Sequence, residues 1–249
     1  MSFVANLRNS SATAHYTRLL LAGDRQGARG WITQLLTRGL SAYSVLTELI
    51  WPAMEQIQVE YKDNNISLSA LNLATRLNRS IADQLGEKLE RQPEIGRTCL
   101  IFCGDDEPEE LGAQIAADLF EAEGWRVLFA GGGVPNDEIL RLIGHAKPDL
   151  LLLFATRPRG MPAVRQLIDY LRQVNACPAM QVMCCGGIYK RAEGLAEEIG
   201  ADLYAADAHV ALEVVRRHPN KKASLDQQTV GRMRRLRRAE ARRTTREAA

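Results

Sequence analysis

DLLLLFA, Asp149 to Ala155, places four leucines and a phenylalanine in one unbroken run. A strand with one face in water alternates apolar and polar residues. A run that is apolar on both parities predicts a strand covered on both faces, as in a parallel sheet. Runs of the same kind stand on either side: TCLIFC (Thr98 to Cys103), WRVLFA (Trp125 to Ala130), MQVMCC (Met180 to Cys185) and ADLYA (Ala201 to Ala205). Amphipathic segments of helical length separate them, at Leu111 to Ala122, Asn136 to His145, Ala163 to Val174 and Ala192 to Ile199. This alternation predicts α/β architecture: five βα units over roughly Arg97 to His218, forming a flavodoxin-like (Rossmann-type) five-stranded parallel sheet of order 2-1-3-4-5. Ligands of such sheets sit beyond the carboxyl ends of the strands. The sequence there reads Gly104-Asp105-Asp106, Gly131-Gly132-Gly133, Thr156-Arg157-Pro158-Arg159 and Gly186-Gly187.

Upstream the period changes to that of helices. Tyr16, Leu19 and Leu20 begin one stripe, and Ile32, Leu35 and Leu36 a second. Leu46, Leu49, Ile50, Ala53, Met54 and Ile57 form a third, and Leu77, Ile81, Leu85 and Leu89 a fourth. Gly23 and Gly39 punctuate the turns, Ser41 is a candidate N-cap, and Pro52 is expected to kink the third helix. The expectation is an N-terminal four-helix cap bundle over residues 1–92, a linker RQPEIGR (Arg91 to Arg97), an α/β domain over 97–218 and a basic tail over 219–249.

Composition narrows the function classes. No apolar run approaches the ~20 residues of a membrane span. The start, MSFVANLRNSSATAHY, has no charged segment leading into an apolar one, so a cytoplasmic protein is expected. Five cysteines, Cys99, Cys103, Cys177, Cys184 and Cys185, show no C-x-x-C spacing and read as small strand residues, although the vicinal Cys184-Cys185 pair also suits redox chemistry. His15, His145, His209 and His218 have no spaced His or Cys partner, so neither a metal site nor a catalytic histidine is expected. The net charge of +2 is uneven: Pro219 to Ala249 carries ten cations against three acids, +7, which leaves −5 on the rest.

The motifs taken in order resemble those of cobalamin-binding domains: Gly112, Gly124-Trp125, GGGVP (Gly131 to Pro135), KPD (Lys147 to Asp149), Gly186-Gly187 and GADLYAADA (Gly200 to Ala208). LLLAGDRQGA (Leu19 to Ala28), LLTRGL, and the IWPAM around Pro52 resemble that family's helical cap. The Glu107-x-x-x-x-Gly112 and Gly-Trp pieces look closest to cobalamin-dependent transcriptional regulators. The resemblance implies ligand-site positions at Glu107, Glu109, Gly112, Phe154, Thr156, Gly186, Gly187, Tyr61 and Asn72. Several depart from the family pattern. Where relatives carry the cobalt-ligating histidine this chain has Glu109, a harder ligand than imidazole. Phe154 takes the place of a small hydroxyl residue beside the nucleotide tail, with Thr156 kept. Tyr61, Leu71 and Asn72 align with the Trp and Glu-His pair of light-sensing relatives.

From these departures the expected function is a non-enzymatic regulatory or scaffold protein that has lost histidine-ligated cobalamin; no single cofactor is expected, and cobalamin or another tetrapyrrole stays open. The second reading is a sensor of cobalamin in an atypical mode, of another tetrapyrrole or of a phosphorylated ligand. The third is a corrinoid protein of a methyltransferase system. Arg157 and Arg159 suit an anion or read as surface residues, and the glycine pairs suit a phosphate or read as tight turns. The string Asp105, Asp106, Glu107, Glu109 and Glu110 suits a divalent cation, or the acid-rich first turn of a helix. A homo-oligomer and a regulatory protein partner are expected, and no membrane. Arg232, Arg234, Arg235, Arg237 and Arg238 in the tail suit nucleic acid, but a protein contact is favoured because no base-reading element accompanies them.

Overall fold

A computed structural model describes residues 10–105, 107–175 and 177–224, and the arginine-rich Gly231 to Ala249 lies outside the described residues. The described chain divides into two compact units: residues up to Ile95 together with Asp105–Gly124, and Gly96–Gly104 together with Trp125 onward.

The first unit is helical. It comprises α1 (Ser10–Leu21), α2 (Arg25–Thr37), α3 (Ala42–Val45), a π-helical turn (Leu46–Ile50), α4 (Trp51–Lys62), α5 (Leu68–Gly86) and α6 (Glu107–Ala122). Side-chain caps begin the helices: Asp24 accepts from the Gly27 N–H, Ser41 from Ser44 and Ser67 from Ala70. Gly23 and Gly39, at φ 66° and 89°, stop α1 and α2. The N–H of Asp24 bonds the Leu19 carbonyl and that of Leu40 the Leu35 carbonyl, the six-to-one bond that a left-handed glycine makes available. Tyr16, Leu20, Leu46, Leu49, Ile50, Leu77 and Ile81 form the buried stripe facing inward. Inside it Tyr16 Oη donates to Asn78 Oδ1 at 2.9 Å, and Asn78 Nδ2 donates to the Ile50 carbonyl at 3.3 Å.

The kink expected at Pro52 takes a specific form. Residues 42–62 stay helical throughout, and Pro52 occupies the second position of α4 directly after the π turn. Proline lacks the N–H that would bond four residues back, and its ring crowds that carbonyl. Widening the preceding turn relieves both without ending the helix.

The second unit is the sheet: β1 (Thr98–Cys103), β2 (Arg126–Gly131), β3 (Leu150–Phe154), β4 (Gln181–Cys185) and β5 (Leu203–Ala205). All neighbours pair in parallel, in the order β2-β1-β3-β4-β5 that the sequence predicts. Its helices are α7 (Asn136–Ala146), a 3-10 turn (Pro158–Gly160), α8 (Met161–Val174), α9 (Gly187–Arg191), α10 (Leu195–Glu198) and α11 (Ala208–Arg217). Every residue of β3 and β4 is buried, as an apolar run on both parities requires. On one face Leu100, Phe102, Leu151, Leu153, Val182 and Cys184 pack under Ile139 and Ile143 of α7 and Leu167, Ile168 and Leu171 of α8. Each such side chain contributes roughly 1.5–3 kcal/mol of burial.

One predicted helix is wrong. Ala192 to Ile199 is not continuous: α9 precedes it, Ala192 to Gly194 break it, and only Leu195–Glu198 is helical. Gly194 sits at φ 79°, a conformation that ends helices. The apolar period there suits Ile188, Tyr189, Ala196 and Ile199, which are buried from two short pieces instead of one long one.

Candidate functional site

The loops singled out in the sheet unit stand at the carboxyl ends of their strands. Gly104 follows β1, Gly131 ends β2, Thr156 follows β3 and Gly186 follows β4. Parallel pairing brings Phe154 beside Cys185, so the ends of β3 and β4 lie together. Phe154 is 2% exposed and Thr156 4%. Gly186 adopts φ 111°, ψ 175°, which only glycine takes without strain. A Cβ on it would lie 2.4 Å from the Ala155 carbonyl oxygen and 3.2 Å from Phe154 Cε2. The two strand ends therefore touch backbone to backbone with the Phe154 ring alongside, and Gly186 is explained as a tight turn.

Next to it, Arg191 Nη2 donates to the Thr156 carbonyl, and a Cβ on Gly187 would lie 2.9 Å from Arg191 Nη1. The guanidinium at this spot comes from α9. Arg157 is half-buried ahead of the 3-10 turn, and Arg159 is exposed within it. Sequence reading passed over Arg191, although its spacing of four from Gly187 puts it above that glycine on a helix. Gly131 and Gly133 turn the chain after β2 at φ 77° and 71°, and Gly133 has open space where a side chain would stand.

The remaining expected positions lie in the helical unit. Tyr61 is half-buried in the last turn of α4, and Asn72 is exposed in the second turn of α5 beside buried Leu71. Glu107 opens α6, Glu109 is 4% exposed in its first turn, and Gly112 is buried one turn on. Glu110 pairs with Arg79 of α5 at 2.9 Å. Asp106 lies outside the described residues. Among those described, no three His, Cys, Asp or Glu side chains converge as a metal-holding group. Cys184 and Cys185 are fully buried. Burial pushes the Cys184 thiol up to about 12, which withholds the thiolate that redox exchange needs.

A polar cleft of about 390 Å³ between α5 and α6 was not foreseen. Arg79, Asp83 and Glu87 line it from α5, Arg91 from the segment after it, and Gln114, Asp118 and Glu121 from α6. Asp118 Oδ2 approaches to 2.7 Å from where a Gly86 Cβ would be. Burial is the main cause that pushes its carboxyl up to about 6; Asp83 and Glu121 add to the rise, while the Gln114 hydrogen bond and Arg91 oppose it. Because the folded value exceeds the unfolded one, the native state binds the extra proton. This contribution to stability is complete below the unfolded pKa of 3.8 and is lost as pH rises through about 6. Asp118→Asn is expected to raise stability at pH 7.5 by about 1 kcal/mol after allowance for the solvent-facing part of the group. It should also flatten the stability profile between pH 4 and 6, as thermal melts across that range would read.

Comparison with known proteins defines the family. The sequence matches the B12 binding domain family over residues 97–215, and a second B12 binding domain family over residues 13–85. It is 22% identical to monomethylamine corrinoid protein 1 of Methanosarcina barkeri over 74% of this chain and 88% of that protein. To monomethylamine corrinoid protein 2 of the same organism it is also 22% identical, over 78% and 92%. The solved structure of the Methanosarcina barkeri monomethylamine corrinoid protein superposes with a TM-score of 0.70 at 20% identity, over 80% of this chain and 96% of that one. These likenesses overturn the expectation of a non-enzymatic regulator or scaffold, and with it the regulator-like and sensor vocabulary. The proteins resembled along most of their length are corrinoid proteins, the third reading of the sequence. Departures at Glu109 and Phe154 misled because two side chains were weighted above the order of some two hundred residues. Matched over residues 13–85 and again over 97–215, the chain belongs to the B12-binding domain family.

Proposed function

We propose that this protein is the corrinoid-carrying component of a methyltransferase system and that its partner is a methyltransferase. The observation that carries the reading is the succession of helical unit and β2-β1-β3-β4-β5 sheet, matched over 88% of the length of a monomethylamine corrinoid protein. A bound corrinoid supplies a cobalt centre able to accept a methyl group and give it up.

The chain's own residues fit such a group through backbone more than through a donor side chain. Gly133 leaves open space after β2, while Gly186 packs against the Ala155 carbonyl and the Phe154 ring and Gly187 against the Arg191 guanidinium, so a ligand at the carboxyl ends of β3 and β4 would meet that guanidinium beside Thr156. Phe154 would face the ligand's tail region with a ring in place of a hydroxyl. In the helical unit, the family resemblance points to Tyr61 and Asn72 in the cap and to Glu107, Glu109 and Gly112 in α6 as ligand-site positions. No imidazole stands at the position of Glu109, so the chain would hold the corrinoid without a histidine ligand from this turn of α6. A carboxylate there does not donate as imidazole does.

The test is reconstitution. Incubated with hydroxocobalamin and desalted, the full chain is expected to retain about one equivalent of corrinoid, with an absorption spectrum lacking imidazole ligation. Glu109→His is expected to add the imidazole-ligated spectrum. A colourless protein after desalting overturns the reading. An imidazole-ligated spectrum in the unmodified chain overturns the assignment of Glu109.

A further inference from the structure

The guanidinium of Arg191 stands where the ends of β3 and β4 meet, and a neutral group holds it there. Its Nη2 donates to the carbonyl of Thr156, directly after β3. Its Nη1 lies 2.9 Å from the place of a Gly187 Cβ, so the glycine leaves the room that the guanidinium takes. Among the described residues no carboxylate pairs with Arg191. The acids at this end of the sheet unit are otherwise placed. Asp207 caps α11, accepting the Val210 N–H at 2.8 Å. Asp137 and Glu138 open α7 beyond β2, two strands from β3. Glu193 is exposed in the break between α9 and α10. Arg159 and Lys190, both exposed in the segments after β3 and β4, add positive charge.

A guanidinium carries five N–H donors in a planar fork that matches two oxygens of a phosphate or carboxylate. The Thr156 carbonyl takes one donor and returns no charge. That bond fixes the position of the fork, so less side-chain freedom is lost when an anion arrives. The Phe154 ring lies alongside, with Cε2 3.2 Å from the place of a Gly186 Cβ. A phenyl ring in the tail region offers a ligand no hydrogen-bond donor, and Arg191 supplies several one turn beyond Gly187.

We propose that Arg191 binds the phosphodiester in the nucleotide tail of a complete corrinoid and selects such corrinoids over those without the tail. The other side chains of a complete corrinoid end in neutral amides, so the phosphodiester is the anion that a guanidinium can recognise. Arg191 has this role only if the chain carries a corrinoid, as proposed above.

The test is equilibrium dialysis of the full chain against hydroxocobalamin and against diaquocobinamide, which has the same corrin ring without the phosphate and base. The unmodified chain is expected to bind hydroxocobalamin at least about tenfold more tightly. Arg191→Gln is expected to weaken hydroxocobalamin about tenfold and diaquocobinamide by no more than about twofold. Arg191→Lys, which keeps the charge and loses the fork, is expected to recover part of the loss. Circular dichroism confirms that each variant is folded. Equal weakening of both ligands by Arg191→Gln makes Arg191 a clamp on the Thr156 carbonyl and overturns the proposal. Equal binding of the two ligands by the unmodified chain, or unchanged binding in Arg191→Gln, overturns the role of Arg191 and leaves the corrinoid reading standing. Retention of neither ligand by the unmodified chain overturns the corrinoid reading and this role with it.

Discussion

Gly186→Ala is expected to lower the melting temperature by about 10 °C and to strip the sheet unit of its carboxyl-end surface. Two costs add. At φ 111° and ψ 175° an L side chain is strained, by about 1–3 kcal/mol. The new Cβ would also stand 2.4 Å from the Ala155 oxygen and 3.2 Å from Phe154 Cε2. Backbone must give, at about another 1–3 kcal/mol. A protein of this size loses about 2–4 °C per kcal/mol. The carbonyl that would be pushed belongs to a tightly tied residue: the Ala155 N–H donates to Cys185 at 2.9 Å, and the Gly186 N–H donates to Ala205 at 3.2 Å. Relief of the clash therefore disturbs β3, β4 and β5 together. Differential scanning calorimetry checks the loss. A change under 2–3 °C would mean that the strand ends yield easily, contrary to the contacts described. Gly133→Ala is the useful contrast: its φ of 71° is strained but its surroundings are open, so it is expected to cost only about 1 kcal/mol.

Asp202→Ala is the second large effect, expected at about 3–5 kcal/mol of unfolding free energy. The carboxylate itself contributes little net stability, because taking it out of water offsets much of what its partners return. Its removal is costly for another reason. The Val182 N–H would lose its acceptor in a buried place and the Ala223 N–H in a half-buried one, and Arg172 would lose its counter-charge. Asp202→Asn keeps an acceptor for one of the two N–H groups and sheds the charge, so about half the loss is expected. Urea unfolding gives the magnitudes. Hydrogen exchange gives the location, with faster exchange expected at Val182 and Ala223. A loss below about 1 kcal/mol for Asp202→Ala would mean that water or a neighbouring group replaces the carboxylate.

The two effects differ in how visible they are in the sequence. Gly186 stands in a Gly-Gly pair directly after an apolar strand, a pattern that announces a turn. Asp202 is one acid among thirty Asp and Glu residues, in a stretch, GADLYAADA, that reads only as a family motif. What distinguishes it is total burial among partners twenty or more residues distant, and no local pattern records that.

Local physics determined much from the sequence by itself. Uniformly apolar runs fixed the strands, because a β-strand shows both its faces within two residues. Ser41 as an N-cap, Gly23 and Gly39 as stops, and a disturbance at Pro52 followed from backbone chemistry confined to one turn. Strand order followed from assigning five βα units to the flavodoxin-like doubly wound type, whose order is 2-1-3-4-5. The tertiary structure decided whatever depends on distant residues meeting. It turned the expected kink at Pro52 into a π turn and split the helix after β4. It supplied Arg191 where Arg157 and Arg159 were expected, and it set Asp118 against Gly86 across the α5–α6 cleft. It also brought Arg172 and Lys222, fifty residues apart in the chain, to the buried carboxylate of Asp202. Sequence spacing governs contacts within a helical turn or a strand. Which carboxylate is buried, and which cations reach it, depends on how elements far apart in sequence pack, and that is settled only when the chain is folded.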